Sequence, residues 1–244
     1  HYIIIFFMFI AGVNFSLHFR AITGDIKSYF RNSEFLTYFG LIALVTVVLT
    51  ISLVIRSGNW SHACFSDSLF QTVSILTTTG YGTADYELWA FFAQFLILIL
   101  MFVGSMGGST GGGMKIVRVM LILKYAALET RRMLHAKAII PIRIGKGYIS
   151  GDVIRNTLGF FLFYVFIFVF TSFFLTTLNI DLKSSMGVAA SALGNIGPAL
   201  GEFGPTDNYA LMPGVGKWLL TFCMLLGRLE IFTVVVLFSR TFRR

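Results

Sequence analysis

The residues with the plainest chemical meaning are Thr77 to Thr83, TTTGYGT. None is an acid, base or nucleophile poised for covalent work; what the stretch offers is its backbone. Glycine at 80 and 82 lets successive carbonyls turn toward one axis, and a ring of such oxygens replaces the hydration shell of a cation the size of K⁺. Thr77, Thr78, Thr79, Gly80 and Tyr81 are therefore candidate ion ligands. A second stretch, Gly104 to Gly113 (GSMGGSTGGG), is too rich in glycine to continue a helix. Inside it Gly107-Gly108-Ser109-Thr110-Gly111 fits the G-x-S-x-G pattern of a serine nucleophile, so the alternative from another class is an intramembrane serine protease using Ser109. A nucleophile needs a base beside it, and His18, His62 and His135 are all expected near or beyond the ends of apolar stretches rather than at the depth of the loop. A phosphate-binding reading fails as well, because Lys115 lies two residues past the last glycine with no Ser or Thr after it. Arg228 and Glu230 fall within the last apolar stretch, where ionisable groups are costly and mark function. Two apart on a helix they point in different directions, and Glu230 is expected to hydrogen-bond a neighbouring helix.

These residues need elements to hold them, and the composition says where those elements lie. With 56% hydrophobic and 12% charged residues the chain is not an ordinary soluble domain, which carries about 25% charged residues. The net charge of +8 is no nucleic-acid patch, since such a patch needs a polar surface; the surroundings are membrane lipid. Cys64 and Cys223 have neither metal nor redox spacing and are expected as buried thiols. The start, HYIIIFFMFI, has no Met and no basic region, so a truncated or processed start is expected rather than a signal peptide. The formal sequon Asn59-Trp60-Ser61 is read as accidental.

Apolar stretches near 1–19, 36–55, 88–128, 157–180 and 215–239 are candidate spans. The third is too long for one crossing and is interrupted by the glycine run, which predicts a broken helix. Asp67 to Thr77 and Ser184 to Leu193 are too short to cross and predict re-entrant half-helices. Arg20, Lys27 and Arg31, nine bases from Lys115 to Arg155, and Arg240, Arg243 and Arg244 make fifteen on one side, against Arg56, Lys183 and Lys217 on the other. The basic side is predicted to be cytoplasmic. The opposite side carries Asp67, Asp85, Glu87, Asp181, Glu202 and Asp207, and would draw cations. Span, half-helix, glycine turn and span occur twice: at an offset of 117 residues Ser68 meets Ser185, Ser74 meets Ser191, Leu76 meets Leu193 and Gly80 meets Gly197. Half-helix C-termini would aim their negative dipole ends at a cation.

TTTGYGT, GGSTGGGMKIVR at 107–118, GNIGPAL at 194–200 and LLGRLEIFTVVVLF at 225–238 resemble the carboxy-terminal half of the TrkH/TrkG subunits of the Trk, Ktr and HKT superfamily of potassium transporters, over essentially the whole chain. The resemblance implies an all-α polytopic membrane protein of a bacterial inner membrane, not an enzyme, that takes up potassium through a carbonyl-lined filter. It implies residues 1–33 as the last helix of a preceding repeat with its cytoplasmic linker, 34–133 as a third pore repeat with a broken second helix, and 134–244 as a fourth. In that fourth repeat the filter falls on Gly194, Asn195, Ile196 and Gly197, with Pro198 next; only the glycine at the centre of the pattern is kept, so the ring is not fourfold identical. Gly107, Gly108, Ser109, Thr110, Gly111, Gly112 and Gly113 resemble the intramembrane loop below the filter, and the resemblance places Arg228 beside it. Lys115 stands between a snorkelling anchor and a gating residue. With so few side chains the loop is expected to be weakly held and easily biased. Implied partners are a second copy of the chain and a cytosolic nucleotide-binding regulatory subunit of TrkA type docking on the basic loops. The transported potassium ion is the implied ligand; no organic cofactor is implied.

Overall fold

The computed structural model describes residues 1–134, 142–145 and 147–229. Glu230, His135 and the distal part of the 225–238 motif lie outside the described residues.

The first apolar stretch is not one straight helix. α1 (Tyr2–Ala11) and α2 (Phe15–Ile22) meet at 103°, with the chain turning at Gly12 to Asn14. Gly12 is required by close approach, since a Cβ there would lie 2.4 Å from the Tyr38 hydroxyl. Asn14 caps α2, its Oδ1 accepting from the Ser16 N–H at 2.7 Å. Hydropathy registers the apolar run but not the turn within it. After the short α3 (Lys27–Arg31) comes α4 (Ser33–Ser57), capped by Asn32 and ended by Gly58 at φ 71. Its 25 residues reach about 37 Å, enough to cross a bilayer.

α5 (His62–Leu76) starts five residues earlier than expected, where the Ser61 side chain accepts from the Ala63 N–H, and at 15 residues it is too short to cross. The stretch 88–128 divides into α6 (Phe91–Phe102), an irregular loop, and α7 (Ile116–Leu134). A small antiparallel ladder, β1 (Arg143–Ile144) with β2 (Gly147–Tyr148), precedes α8 (Gly151–Thr177), which is again long enough to cross. α9 (Leu182–Gly194) is the second short helix, and α10 (Gly214–Arg228) follows.

Both short helices are enclosed. From Phe70 to Leu76 and from Gly187 to Gly194 every residue is buried. The small residues of α9 permit this: Gly187 packs so closely on Leu200 that a Cβ would stand 2.6 Å from its amide nitrogen. The long helices α4 and α8 instead show Leu44, Ile51, Ile55, Phe166, Phe170 and Phe173 outward, the pattern of a lipid-facing wall.

Candidate functional site

At the end of α5 the chain leaves the helix through Thr77 at φ −83, then takes positive φ at Thr78 (55°) and Gly80 (79°). At the end of α9, Asn195 (57°) and Gly197 (113°) do the same. These positions correspond at the 117-residue offset, and so do the bonds that fix them. The Thr78 N–H donates to Ile75 O at 3.0 Å as Asn195 N–H does to Ala192 O at 3.1 Å. The Thr79 N–H donates to Ser74 O at 2.9 Å as Ile196 N–H does to Ser191 O at 3.0 Å. Alternating the hand of φ along an extended backbone brings carbonyls that would otherwise alternate onto one side.

The two segments that follow α5 and α9 lie side by side: a Cβ on Gly80 would stand 1.9 Å from the Ile196 carbonyl oxygen. Gly197 differs, for no atom lies within 4 Å of its Cβ position, so φ alone demands glycine there. Thr78 is a β-branched residue in the left-handed region, an outlier that needs surrounding support. Its hydroxyl accepts from the Gly112 N–H at 2.7 Å. The Thr77 hydroxyl turns back to Val73 O (2.7 Å) and meets Thr79 Oγ1 at 2.8 Å, while the Tyr81 side chain is exposed. The strands are also buttressed differently. Ser74 Oγ donates to Tyr81 O at 2.6 Å, whereas Ser191 Oγ accepts from the Gly197 N–H at 3.1 Å. Tyr209, stacked on Phe203, donates its hydroxyl to Gly197 O at 2.7 Å. Burial pushes the Tyr209 phenol up to about 12 against a smaller opposing effect of Ser191, so it is a hydrogen-bond donor at neutral pH.

Directly beneath runs the glycine loop, closed at its neck by the Gly104 N–H donating to Met114 O at 2.8 Å. It is not weakly held. Backbone and polar contacts replace the missing side chains: the Met106 N–H donates to Gly12 O (3.1 Å), Thr110 Oγ1 to Ala11 O (3.0 Å), Phe15 N–H to Gly108 O (3.0 Å) and Asn14 Nδ2 to Gly107 O (2.5 Å). The bend between α1 and α2 leaves the carbonyls that the loop needs, so the bend is its cradle. Glu34 Oε1 accepts from the Gly107 N–H at 2.7 Å. Arg228 Nη1 donates to Thr110 O at 2.7 Å and Lys115 Nζ to Gly111 O. Glycine is obligatory where the loop meets the strands: a Cβ on Gly112 would stand 2.6 Å from Gly194 O, and one on Gly111 2.0 Å from Ser105 Oγ and 3.2 Å from Thr77 O. Gly108 and Gly113 are left-handed, at φ 71 and 65.

Ser109 does not have the surroundings of a nucleophile. Its hydroxyl donates to Met106 O at 2.5 Å and meets Ser105 Oγ at 2.6 Å; among the described histidines, His18 bonds Tyr29 and Ile10 O, and His62 bonds Tyr2. Below the loop lies a cavity of about 310 Å³ lined by its backbone, Lys115, Arg118, Phe160 and Arg228. The Arg118 guanidinium stands 4.0 Å over the Phe160 ring. α10 reaches the strands through Gly227, whose Cβ position is 2.0 Å from Leu193 O, and Asn195 Nδ2 donates to Met224 O at 3.0 Å.

Sequence reasoning missed Glu34, Asn14 and Tyr209. An acid in a helix's first turn and an Asn before a helix carry ordinary capping signals, which give no hint of a partner more than 70 residues away.

The family model TrkH, a cation transport protein, matches residues 1–243. The chain is 37% identical over 239 residues to the Trk system potassium uptake protein TrkH of Halomonas elongata, covering 98% of this chain and 49% of that protein. It is 35% identical to TrkH of Escherichia coli K12, with 99% and 50% covered, and 32% identical to TrkG of the same organism, with 98% and 49% covered. The crystal structure of the potassium transporter TrkH from Vibrio parahaemolyticus superposes with a TM-score of 0.91 at 36% identity, over 98% of this chain and 52% of that one. The chain thus spans about half the length of the curated relatives it matches.

Proposed function

The chain belongs to the TrkH family of cation transport proteins, and from that premise we propose that it supplies the third and fourth repeats, 34–133 and 134–244, of a potassium-uptake pore. Potassium sheds water at the mouth and is held by carbonyls of Thr77 to Tyr81 and of Gly194 to Gly197. α5 and α9 direct the negative ends of their dipoles at that position. The acids of the outer side raise the local cation concentration. Beneath, the loop from Gly107 to Gly113 bars the path, and Arg228 and Lys115 raise the energy of a cation that would pass it. Opening requires the loop to leave Arg228 and Thr78, a movement biased by a cytosolic nucleotide-binding partner. The working unit is a homodimer in the bacterial inner membrane, basic loops cytoplasmic.

The observation that carries this reading is the recurrence of positive φ at Thr78/Gly80 and Asn195/Gly197 with matching backbone bonds. Rubidium uptake by the complete polypeptide in a potassium-uptake-deficient strain tests it. Gly80→Ser should abolish selective uptake, because its Cβ meets the Ile196 carbonyl, and Gly197→Ser should lower K⁺ over Na⁺ preference severalfold through backbone strain of about 1–3 kcal/mol. Unchanged preference in both variants, with normal membrane insertion, refutes the filter.

A further inference from the structure

Glu34, in the first turn of α4, lies against the glycine loop. Its Oε1 accepts from the Gly107 N–H at 2.7 Å on the loop's entry. The Val117 amide, in the first turn of α7 on the loop's exit, and the Lys115 ammonium lie within electrostatic reach of the same carboxylate. One anion at the start of α4 thus binds the loop's entry amide and faces the positive groups at its exit. The position suits a carboxylate three times over. The first N–H groups of α7 have no partner inside their own helix; those of Ile116 and Arg118 are satisfied by Ser105 O and Lys115 O, and the carboxylate faces this electropositive end. The N-terminal end of a helix attracts negative charge. Bonds to an ionised acceptor are the stronger class, so this contact exceeds the neutral backbone bonds around it.

We propose that Glu34 is the latch of the loop: a positioning residue that binds the entry amide of Gly107 and faces the positive groups at the loop's exit, and so holds the loop across the path. Arg228 touches the tip at Thr110 O; Glu34 holds the base, and a loop that swings aside must release both. The inference rests on the gate reading given above.

The test uses the full-length protein in lipid vesicles, with Glu34→Gln, Glu34→Ala and Arg228→Ala measured side by side for ⁸⁶Rb⁺ flux and for amide hydrogen exchange by mass spectrometry. Glu34→Gln is isosteric, keeps one carbonyl acceptor and loses the charge and the second acceptor. It should speed exchange in the segment 104–117 by about tenfold, the cost of a charged hydrogen bond, and raise flux, with α9 unchanged; Glu34→Ala should do more. A loss of packing lowers flux, so a gain distinguishes a latch from a merely structural residue. Loop exchange at the parent rate in both Glu34 variants overturns the latch. Faster exchange that spreads to α9 overturns it also, marking Glu34 as a residue of the general fold. Fast loop exchange with parental flux in all three variants leaves the latch standing and overturns the gate reading instead.

Discussion

Thr78 and Gly80 show how far single positions set the chemistry. Thr78 occupies a conformation that costs about 1–3 kcal/mol for a non-glycine residue, and its own hydroxyl receives the Gly112 amide. The strain is thereby coupled to the loop: whatever moves Gly112 releases the support of Thr78. The segment after α9 reaches the same backbone hand by other means. Pro198 stands where the segment after α5 has Tyr81, and the Tyr209 hydroxyl, from a separate segment, holds the Gly197 carbonyl. Tyr209→Phe removes that donor and keeps the ring on Phe203. The carbonyl then loses a bond worth about 0.5–1.5 kcal/mol, and K⁺ over Na⁺ preference in reconstituted flux should fall severalfold with protein yield unchanged. An unaltered preference would show that Tyr209 supports the outer loop alone.

At the scale of elements, the short helices α5 and α9 do work that a spanning helix cannot, since each ends inside the molecule with its last carbonyls toward the strands. Their N-termini are fixed by side chains, Ser61 for α5 and Asp181 for α9, whose Oδ2 accepts from the Ser184 N–H at 3.0 Å. Partial burial pushes the Asp181 carboxyl up, but bonds from the Ser184 hydroxyl, the Ser184 and Lys183 amides and the charge of Lys183 together carry it below its ordinary 3.8. A depressed folded value means stabilisation that is present above the unfolded value and lost as pH falls through the folded one. Asp181→Asn keeps a capping side chain without the charge. Its thermal stability should therefore trail the parent's at pH 7, and the gap should close as pH falls below about 4. A gap independent of pH would show that the charge contributes nothing at this cap.

Across the whole molecule the two packed clusters meet at the strands. One gathers α1, α4, α5 and α6; the other gathers α8, α9 and α10; Ile196 and Leu200 from the second half of the chain pack into the first. The loop crosses that junction, bonded to α4 and the α1–α2 bend on one flank and to Arg228 of α10 on the other. A relative shift of the two clusters would load the contacts on both flanks of the loop. Arg228→Ala should raise ⁸⁶Rb⁺ flux of the reconstituted full-length protein severalfold, most in the absence of the proposed regulatory partner. Deleting several of Gly107 to Gly112 should raise it further, since it also removes the amides that Glu34 and Thr78 hold. Folded variants of both kinds transporting at or below the parent rate would sink the gate and leave the filter assignment untouched.

The features set by local chemistry were legible in the chain itself. Apolar length and charge asymmetry follow from transfer free energies that act residue by residue, so the membrane setting and the spanning stretches of α4 and α8 needed no tertiary information. The glycine run between α6 and α7 declared the broken helix for the same reason, and the paired Gly80 and Gly197 announced where the backbone must turn. Tertiary structure alone decided what those glycines are for: Gly80 faces Ile196 O, Gly112 faces Gly194 O, and Gly197 faces open space. It alone turned an apolar run at 1–19 into a bent pair, made that bend the loop's cradle, and brought Glu34 and Tyr209 into the site. The physical reason is that a hydrogen bond between residues 73 or 99 positions apart leaves no mark on hydropathy or periodicity; it exists only once packing has placed a donor and an acceptor within about 3 Å of each other.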